Sequence, residues 1–171
     1  KKGWVGVNID LDQDNIDLFN FSRPNDTNIC KAISSEIKEV DLFFYHKKSP
    51  INTIDKRMSN FQTAPVKQIK KIKTNTLNNI LNLTKFSDKT FDLMSVDVEG
   101  HELEVLSGFD FEKYDPKVIV VEFLDLSQSK IEIKNQNLKN IIESDIYKFL
   151  VSKNYKLVNF IYADLIFVKN S

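Results

Sequence analysis

Asp97, Glu99, His101 and Glu102 crowd polar groups into six consecutive positions of the chain. Carboxylates and imidazoles are the side chains that take protons from hydroxyls near neutral pH, so this is where chemistry is to be sought first. The run before them, Phe91-Asp92-Leu93-Met94-Ser95-Val96, is short and apolar and suits a buried strand. After Gly100 the pattern changes: Leu103 and Leu106 sit three apart, and Gly108 is placed to cap a short helix. The stretch reads as strand, tight turn, helix, with its acids at the carboxyl end of the strand, where open α/β sheets bind ligands. Asp97 and Glu99 are two apart and share one face if the strand persists. Asp97, Glu99 and Glu102 are also hard oxygen donors of the kind that suit Mg²⁺. Linear spacing does not make them converge, and no metal is assigned.

The elements that must position this turn alternate along the chain. Trp4 to Asp10 is a β-branched, alternating strand, followed by a helix through Ile16, Leu18, Phe19 and Phe21 that Asp12 or Asp14 opens and Pro24 closes. A second strand is expected over Thr27 to Ser34, and a further one over Asp41 to His46. Residues 47 to 65, with Pro50, Pro65 and many Ser, Asn and Thr, read as a loop or lid. Lys67, Lys70, Lys71 and Lys73 interleave with Val66, Ile69 and Ile72 as the solvated face of an ordered element, and Leu77, Ile80 and Leu81 form a helical stripe. Lys117 to Phe123 is a strand buried on both faces, broken by Glu122 near its end. Residues 125 to 137 are polar and ambiguous. A helix follows from Leu138 to Leu150, with Ser144-Asp145 as a break and Asn154 as a left-handed stop. Tyr155 to Ile161 and Asp164 to Val168, joined by Tyr162-Ala163, form a terminal hairpin. Alternation of this kind predicts an α/β fold, a largely parallel sheet with helices on both faces.

The run Asp97-Val98-Glu99-Gly100-His101-Glu102, continued by Leu103-Glu104-Val105-Leu106-Ser107-Gly108, resembles the signature D-x-E-G-x-E-x-x-x-L-x-G of the FkbM family of S-adenosylmethionine-dependent methyltransferases. The resemblance implies a Rossmann-like class I methyltransferase sheet that ends in an antiparallel hairpin. It implies S-adenosylmethionine as cofactor, with Asp10 (or its neighbour Asp12) on the ribose, Ala32 and Ile33 against the adenine, and Asp97 on the cofactor side. Of the catalytic candidates Asp97, Glu99 and His101, Asp97 ranks first as base, and Glu99 and His101 shape the acceptor pocket. The expected acceptor is a hydroxyl on a sugar or other small metabolite. The family begins with a strand and a glycine-rich turn for the methionine half of the cofactor. The four glycines, Gly3, Gly6, Gly100 and Gly108, form no such turn. Residues 1–171 are therefore expected to be one partial domain starting at the family's second strand. It should be inactive alone, and a slot should lie between the strands ending at Asp10 and Asp97.

Composition narrows the remaining classes. A chain of 171 residues suits one domain with one substantial core. Basic and acidic residues balance at 24 each, and Arg23 and Arg57 are the only arginines, which argues against nucleic acid as a partner. Cys30 is alone, so there is no disulfide framework, and with only His46 and His101 there is no Cys/His zinc cluster. No apolar run approaches the ~20 residues of a membrane span, and a cytoplasmic protein is expected. Oligomeric state leaves no mark in the sequence. Two rival readings are a non-catalytic methyltransferase-like binding module and a nicotinamide-dependent dehydrogenase, which would need G-x-G-x-x-G.

Overall fold

Short polar side chains set the helix boundaries throughout the chain. The computed structural model describes residues 3–47, 49–124 and 137–170. Asp12 accepts from Asp14 N and opens α1 (Gln13–Ser22), which stops before Pro24. Thr76 caps α3 (Leu77–Asn82), whose Leu77, Ile80 and Leu81 are buried as the stripe predicts. Ser144 ends α6 (Leu138–Glu143), and its hydroxyl accepts from Tyr147 N to start α7 (Asp145–Ser152), so the expected break is a cap between two helices. Asn154 takes the left-handed φ of 69° expected of it. Two short helices were not legible in the sequence. α2 (Lys56–Phe61) lies inside the presumed loop and α5 (Phe111–Tyr114) follows the signature.

The strands form three sheets where one was expected. β1 (Val7–Asp10) pairs in parallel with β2 (Thr27–Cys30) across α1, a βαβ unit. The second strand does not run on to Ser34. It divides after Cys30, and β3 (Ala32–Ile33) pairs instead with β5 (Gln68–Asn75), which runs antiparallel to β4 (Glu39–Phe44). Burial explains the division: Ala32, Ile33 and Ser34 are at most 8% exposed, and Ile33 joins the main core. The third sheet has the order β6-β7-β9-β8. In it β6 (Leu93–Val96) and β7 (Val118–Glu122) are parallel, and the hairpin β8 (Tyr155–Ile161) and β9 (Asp164–Lys169) adds antiparallel through β9. Tyr162, with φ 55°, makes its tight turn. The core lies over this sheet, where Leu106, Ile119, Val121, Ile141, Leu150, Leu165 and Phe167 are fully buried. No helix among the described residues is long and apolar enough to cross a membrane.

β1 and β6 do not pair with each other, and each has one strand partner among the described residues. Between them lies a cleft of about 700 Å³, lined on one side by Val5, Val7 and Ile9 and on the other by Leu93, Met94 and Val96. Leu93 is 44% exposed although it sits on a strand with a buried neighbour, because that edge opens on the cleft. The expected slot is present. Backbone groups on facing strand edges have no ladder partner across it, a costly arrangement unless water or another strand supplies one.

The signature helix α4 (Glu102–Ser107) ends at Gly108, which is not left-handed (φ −86°). Glycine is needed there for close approach: a Cβ would lie 2.8 Å from Ser34 O and 2.9 Å from Ser35 Cα. Gly108→Ala should therefore cost about 1–3 kcal/mol through overpacking against backbone. Gly6→Ala, with nothing within 4 Å of the new methyl, should stay within about 0.5 kcal/mol of the parent. Urea midpoints measure both, and equal midpoints for the two variants would remove the packing argument.

Candidate functional site

The carboxyl ends of β1, β3 and β6 converge on a second crevice of about 260 Å³. Asp10, Ala32, Ile33, Asp97, Glu99 and His101 all line it, so every residue singled out for catalysis or cofactor binding meets in one place. Asp12, the rival of Asp10, lines it too. The opposite wall is Ser49, Pro50, Asn52 and Ile54, from the stretch read as a loop or lid. That stretch is built in rather than loose. Thr53 pairs with Phe43, and Asn52 accepts from Tyr45 N and donates to His46 O. Asp55 caps α2 and holds the Arg57 guanidinium at 2.6 Å.

Asp10 is committed to its own turn: Oδ1 accepts from Asp12 N at 2.7 Å and Oδ2 from Asn15 Nδ2 at 2.9 Å. Each carboxylate oxygen has a further lone pair, so these bonds orient the group and leave it able to accept from a diol. Ala32 and Ile33 offer apolar surface beside it. The chain thus fits the adenosine half of the implied cofactor, and among its four glycines none provides a cradle for the methionine half.

The signature turn departs from the strand expected to continue through it. β6 stops at Val96, and Glu99 adopts φ 56°, so Asp97 and Glu99 do not share a strand face. A left-handed residue other than glycine costs roughly 1–2 kcal/mol. Hydrogen bonds offset that strain. Glu102, 4% exposed, accepts from Val98 N and Gly100 N, both at 3.0 Å to Oε1. Thr53 Oγ1 donates to Glu99 O at 2.8 Å. Gly100, at φ 95°, packs so closely on Met58 that any Cβ would collide with Met58 Cγ. The second glutamate of the signature is therefore the turn's acceptor.

His101 has a polar neighbour at each ring nitrogen, one of them within hydrogen-bond distance. Nε2 lies 3.0 Å from Ser34 Oγ, and Nδ1 lies 3.7 Å from Glu104 Oε2. Burial pushes its pKa below the ordinary value, so the ring is neutral at pH 7. A carboxylate facing Nδ1 favours the proton there, which leaves Nε2 to accept from Ser34. Glu104, which helical spacing places on an outer face, instead turns back toward His101.

Carboxylates crowd the floor of the site. Asp97, Glu102 and Glu122 each offer an oxygen within 4.8 Å of the others, a spacing that a hard cation could bridge. Glu122, near the end of its strand, thus takes the place beside Asp97 and Glu102 that the sequence suggested for Glu99. Burial, and then Asp97, Glu99, Glu102 and Asp164, push Glu122 up to about 8, and its Oε2 is sealed without a hydrogen-bond partner. Burial, followed by Asp97 and Glu102, raises Glu99 to about 7. Asp97, exposed where it lines the cleft, is raised by desolvation and then by Asp164. A hydrogen bond with Glu122 and the Glu99 amide pull it back.

These shifts fix the direction of a pH effect. A carboxyl whose folded pKa exceeds its unfolded value binds more protons when folded, so stability is present below the unfolded value and lost as pH rises through the folded one. From pH 6.5 to 8 the melting temperature should fall, as Glu99 and Glu122 ionise. His101, lowered from its ordinary value, acts in the opposite direction and only at the low end of that window, where the unfolded imidazole still binds protons. Glu122→Gln should flatten the fall and melt above the parent at pH 8. A scanning-calorimetry series in which parent and variant fall in parallel contradicts the assignment of the effect to Glu122.

Known proteins were compared with the chain. No curated protein and no solved structure matches it. The family model for the methyltransferase FkbM domain matches residues 1–157, which takes in the βαβ unit, the crevice and its wall, the signature turn, β6 and β7, and ends in the first residues of β8, before β9. The chain belongs to the FkbM methyltransferase family.

Proposed function

We propose that this chain forms most of an S-adenosylmethionine-dependent O-methyltransferase of the Rossmann-like class I type, acting on a hydroxyl of a sugar or another small metabolite. The observation that carries the reading is the meeting of Asp10, Ala32, Ile33, Asp97 and Glu99 in one crevice at the carboxyl ends of three strands. One further parallel strand completes the sheet in the slot between β1 and β6, bringing with it the glycine-rich turn that the 171 residues lack. Both flanking strands end at the same crevice, so a strand parallel to each pairs with both edges.

The cofactor supplies an electrophilic methyl group on a sulfonium centre. The chain's residues bind and orient. The Asp10 carboxylate would accept from the ribose hydroxyls, and Ala32 and Ile33 would cover the adenine. At the acceptor side a carboxylate would take the proton of the hydroxyl that receives the methyl group, whose bond to the sulfonium sulfur breaks to leave a neutral thioether. Sequence ranks Asp97 first for this task, and the geometry favours Glu99. Both residues line the crevice, but Asp97 is engaged by Glu122 and by the Glu99 amide, whereas burial and its acidic neighbours push Glu99 up to about 7. A base poised near the working pH is the efficient one. With its Nε2 accepting from Ser34, His101 shapes the pocket.

Calorimetric titration of S-adenosylmethionine tests the reading on two proteins, the 171-residue chain and one extended by a strand and glycine-rich turn designed to fill the slot. The extended protein should bind, and the shorter one should bind far more weakly. Equal affinities would refute the strand in the slot. In the extended protein Asp10→Ala should weaken binding by about 1–3 kcal/mol, the scale of a charge-assisted hydrogen bond. A loss on Asp12→Ala alone moves the ribose to Asp12. Once an acceptor is in hand, Glu99→Gln should lower turnover by ~10²-fold or more, the scale of a lost general base, with cofactor affinity kept. Binding without any transfer would leave the non-catalytic module as the better description.

A further inference from the structure

Glu99 is held on every side of its backbone. Its N–H donates to the Asp97 carboxylate, its carbonyl accepts from Thr53 Oγ1, and the N–H of the same peptide, on Gly100, donates to Glu102 Oε1. With φ of 56° at Glu99 and 95° at Gly100, this turn has a left-handed course that a chain without those grips would leave. Two of the three grips, Asp97 and Glu102, belong to the signature itself. Thr53 comes from 46 residues away and belongs to the segment that walls the crevice opposite Glu99.

The direction of the Thr53 bond is settled by its surroundings. Thr53 is 1% exposed, and its Oγ1 already accepts from Asp55 N at 2.9 Å. Its one hydroxyl proton therefore goes to Glu99 O at 2.8 Å. Backbone bonds with Phe43 in both directions pin Thr53 to β4, so the hydroxyl cannot follow the turn if the turn moves. One residue thus joins three parts of the site: β4, the wall Ser49–Ile54 with the cap of α2, and the turn that carries the crevice carboxylate.

We propose that Thr53 is a positioning residue for Glu99, its hydroxyl fixing the Glu99–Gly100 peptide so that the Glu99 carboxylate stays in the crevice facing the Ser49–Ile54 wall. The inference rests on the reading of Glu99 as the acceptor-side carboxylate. No part of the signature encodes this contact, because Thr53 lies outside it.

The test uses Thr53→Val, which keeps the shape and removes the donor, and Thr53→Ser, which restores it. Amide hydrogen exchange at Gly100 and NMR titration of the Glu99 carboxyl are read in each, neither needing methyl transfer. Thr53→Val should speed Gly100 exchange by about 10-fold or more, the signature of a local opening. It should also bring Glu99 down toward the ordinary glutamate range, and Thr53→Ser should return both to the parent values. Unchanged exchange and titration in Thr53→Val overturn the proposal, as does a Thr53→Ser variant that behaves like Val. Should the Val variant not fold, the parent's own Thr53 hydroxyl proton decides. Slow exchange with solvent supports the bond, and exchange as fast as that of an exposed threonine refutes it. Failure of S-adenosylmethionine to bind the extended protein would sink the methyltransferase reading and leave these readouts standing.

Discussion

The buried carboxylate of Glu102 is the interaction on which the site depends. A turn from a strand straight into a helix leaves amides pointing inward with no ladder to join. Glu102 collects two of them, Val98 N and Gly100 N, on a single oxygen inside the protein. An ionised or neutral carboxyl at 4% exposure is tolerable only because those donors are there. The rest of the signature then falls into place around it. Gly100 permits the close contact with Met58, Leu106 is fully buried in the core, and Gly108 lets α4 lie against the Ser34 backbone. Asp97 and Glu99 are the acidic positions of the run that line the crevice, with Val98 and His101 beside them. The signature is mostly a recipe for a turn, and it presents two carboxylates as its product.

A second constraint acts at the scale of the sheets. β1 with β2 and β6 with β7 are parallel pairs whose free edges face one another across an apolar cleft, and the crevice sits at the end of that cleft. Asp97 borders both spaces. The separation of the Asp10 side of the site from the Asp97 side is therefore set by whatever spans the cleft, and both sides keep their local geometry without it. Asp10 is held by α1 and its own turn, and Asp97 by the Glu99 amide and Glu122.

Local signals were legible in the sequence because they act locally. The Asp12, Thr76 and Ser144 caps, the left-handed Asn154 and the hairpin turn at Tyr162 each depend on a few neighbouring residues, and each stands where its residue type predicts. The crevice residues were legible through the family signature and strand ends. What could not be read were contacts between distant segments. The division of Thr27–Ser34 into β2 and β3 depends on β5, more than forty residues on. The stretch 47–65 lacks periodicity, yet Thr53 and Met58 are buried because their partners, Glu99 and Gly100, lie in the signature. Asp97 and Glu99 fail to share a face because a left-handed residue ends the strand, and glutamate carries no such preference. A signal for the wall did exist in Asp55 as a helix cap, and low periodicity masked it.

The order of the carboxyl shifts follows from who receives amide donors. Glu102 is the most deeply buried acid of the group, yet three peptide N–H groups, its own and those of Val98 and Gly100, oppose its burial. Asp97 has one amide, from Glu99, together with its bond to Glu122. Glu122 has no amide donor among the causes of its shift, has an oxygen without a partner, and reaches about 8. A proton on Glu122 at neutral pH is the economical solution, since it supplies the donor for the Asp97 bond and removes one charge from the cluster. Glu99, at about 7, is raised by burial and by the same neighbours, but it opens on the crevice instead of on another carboxyl. The crowding that favours a proton on Glu122 inside the protein also raises Glu99 beside the crevice. A single local field thus acts on two chemically identical side chains in two different surroundings.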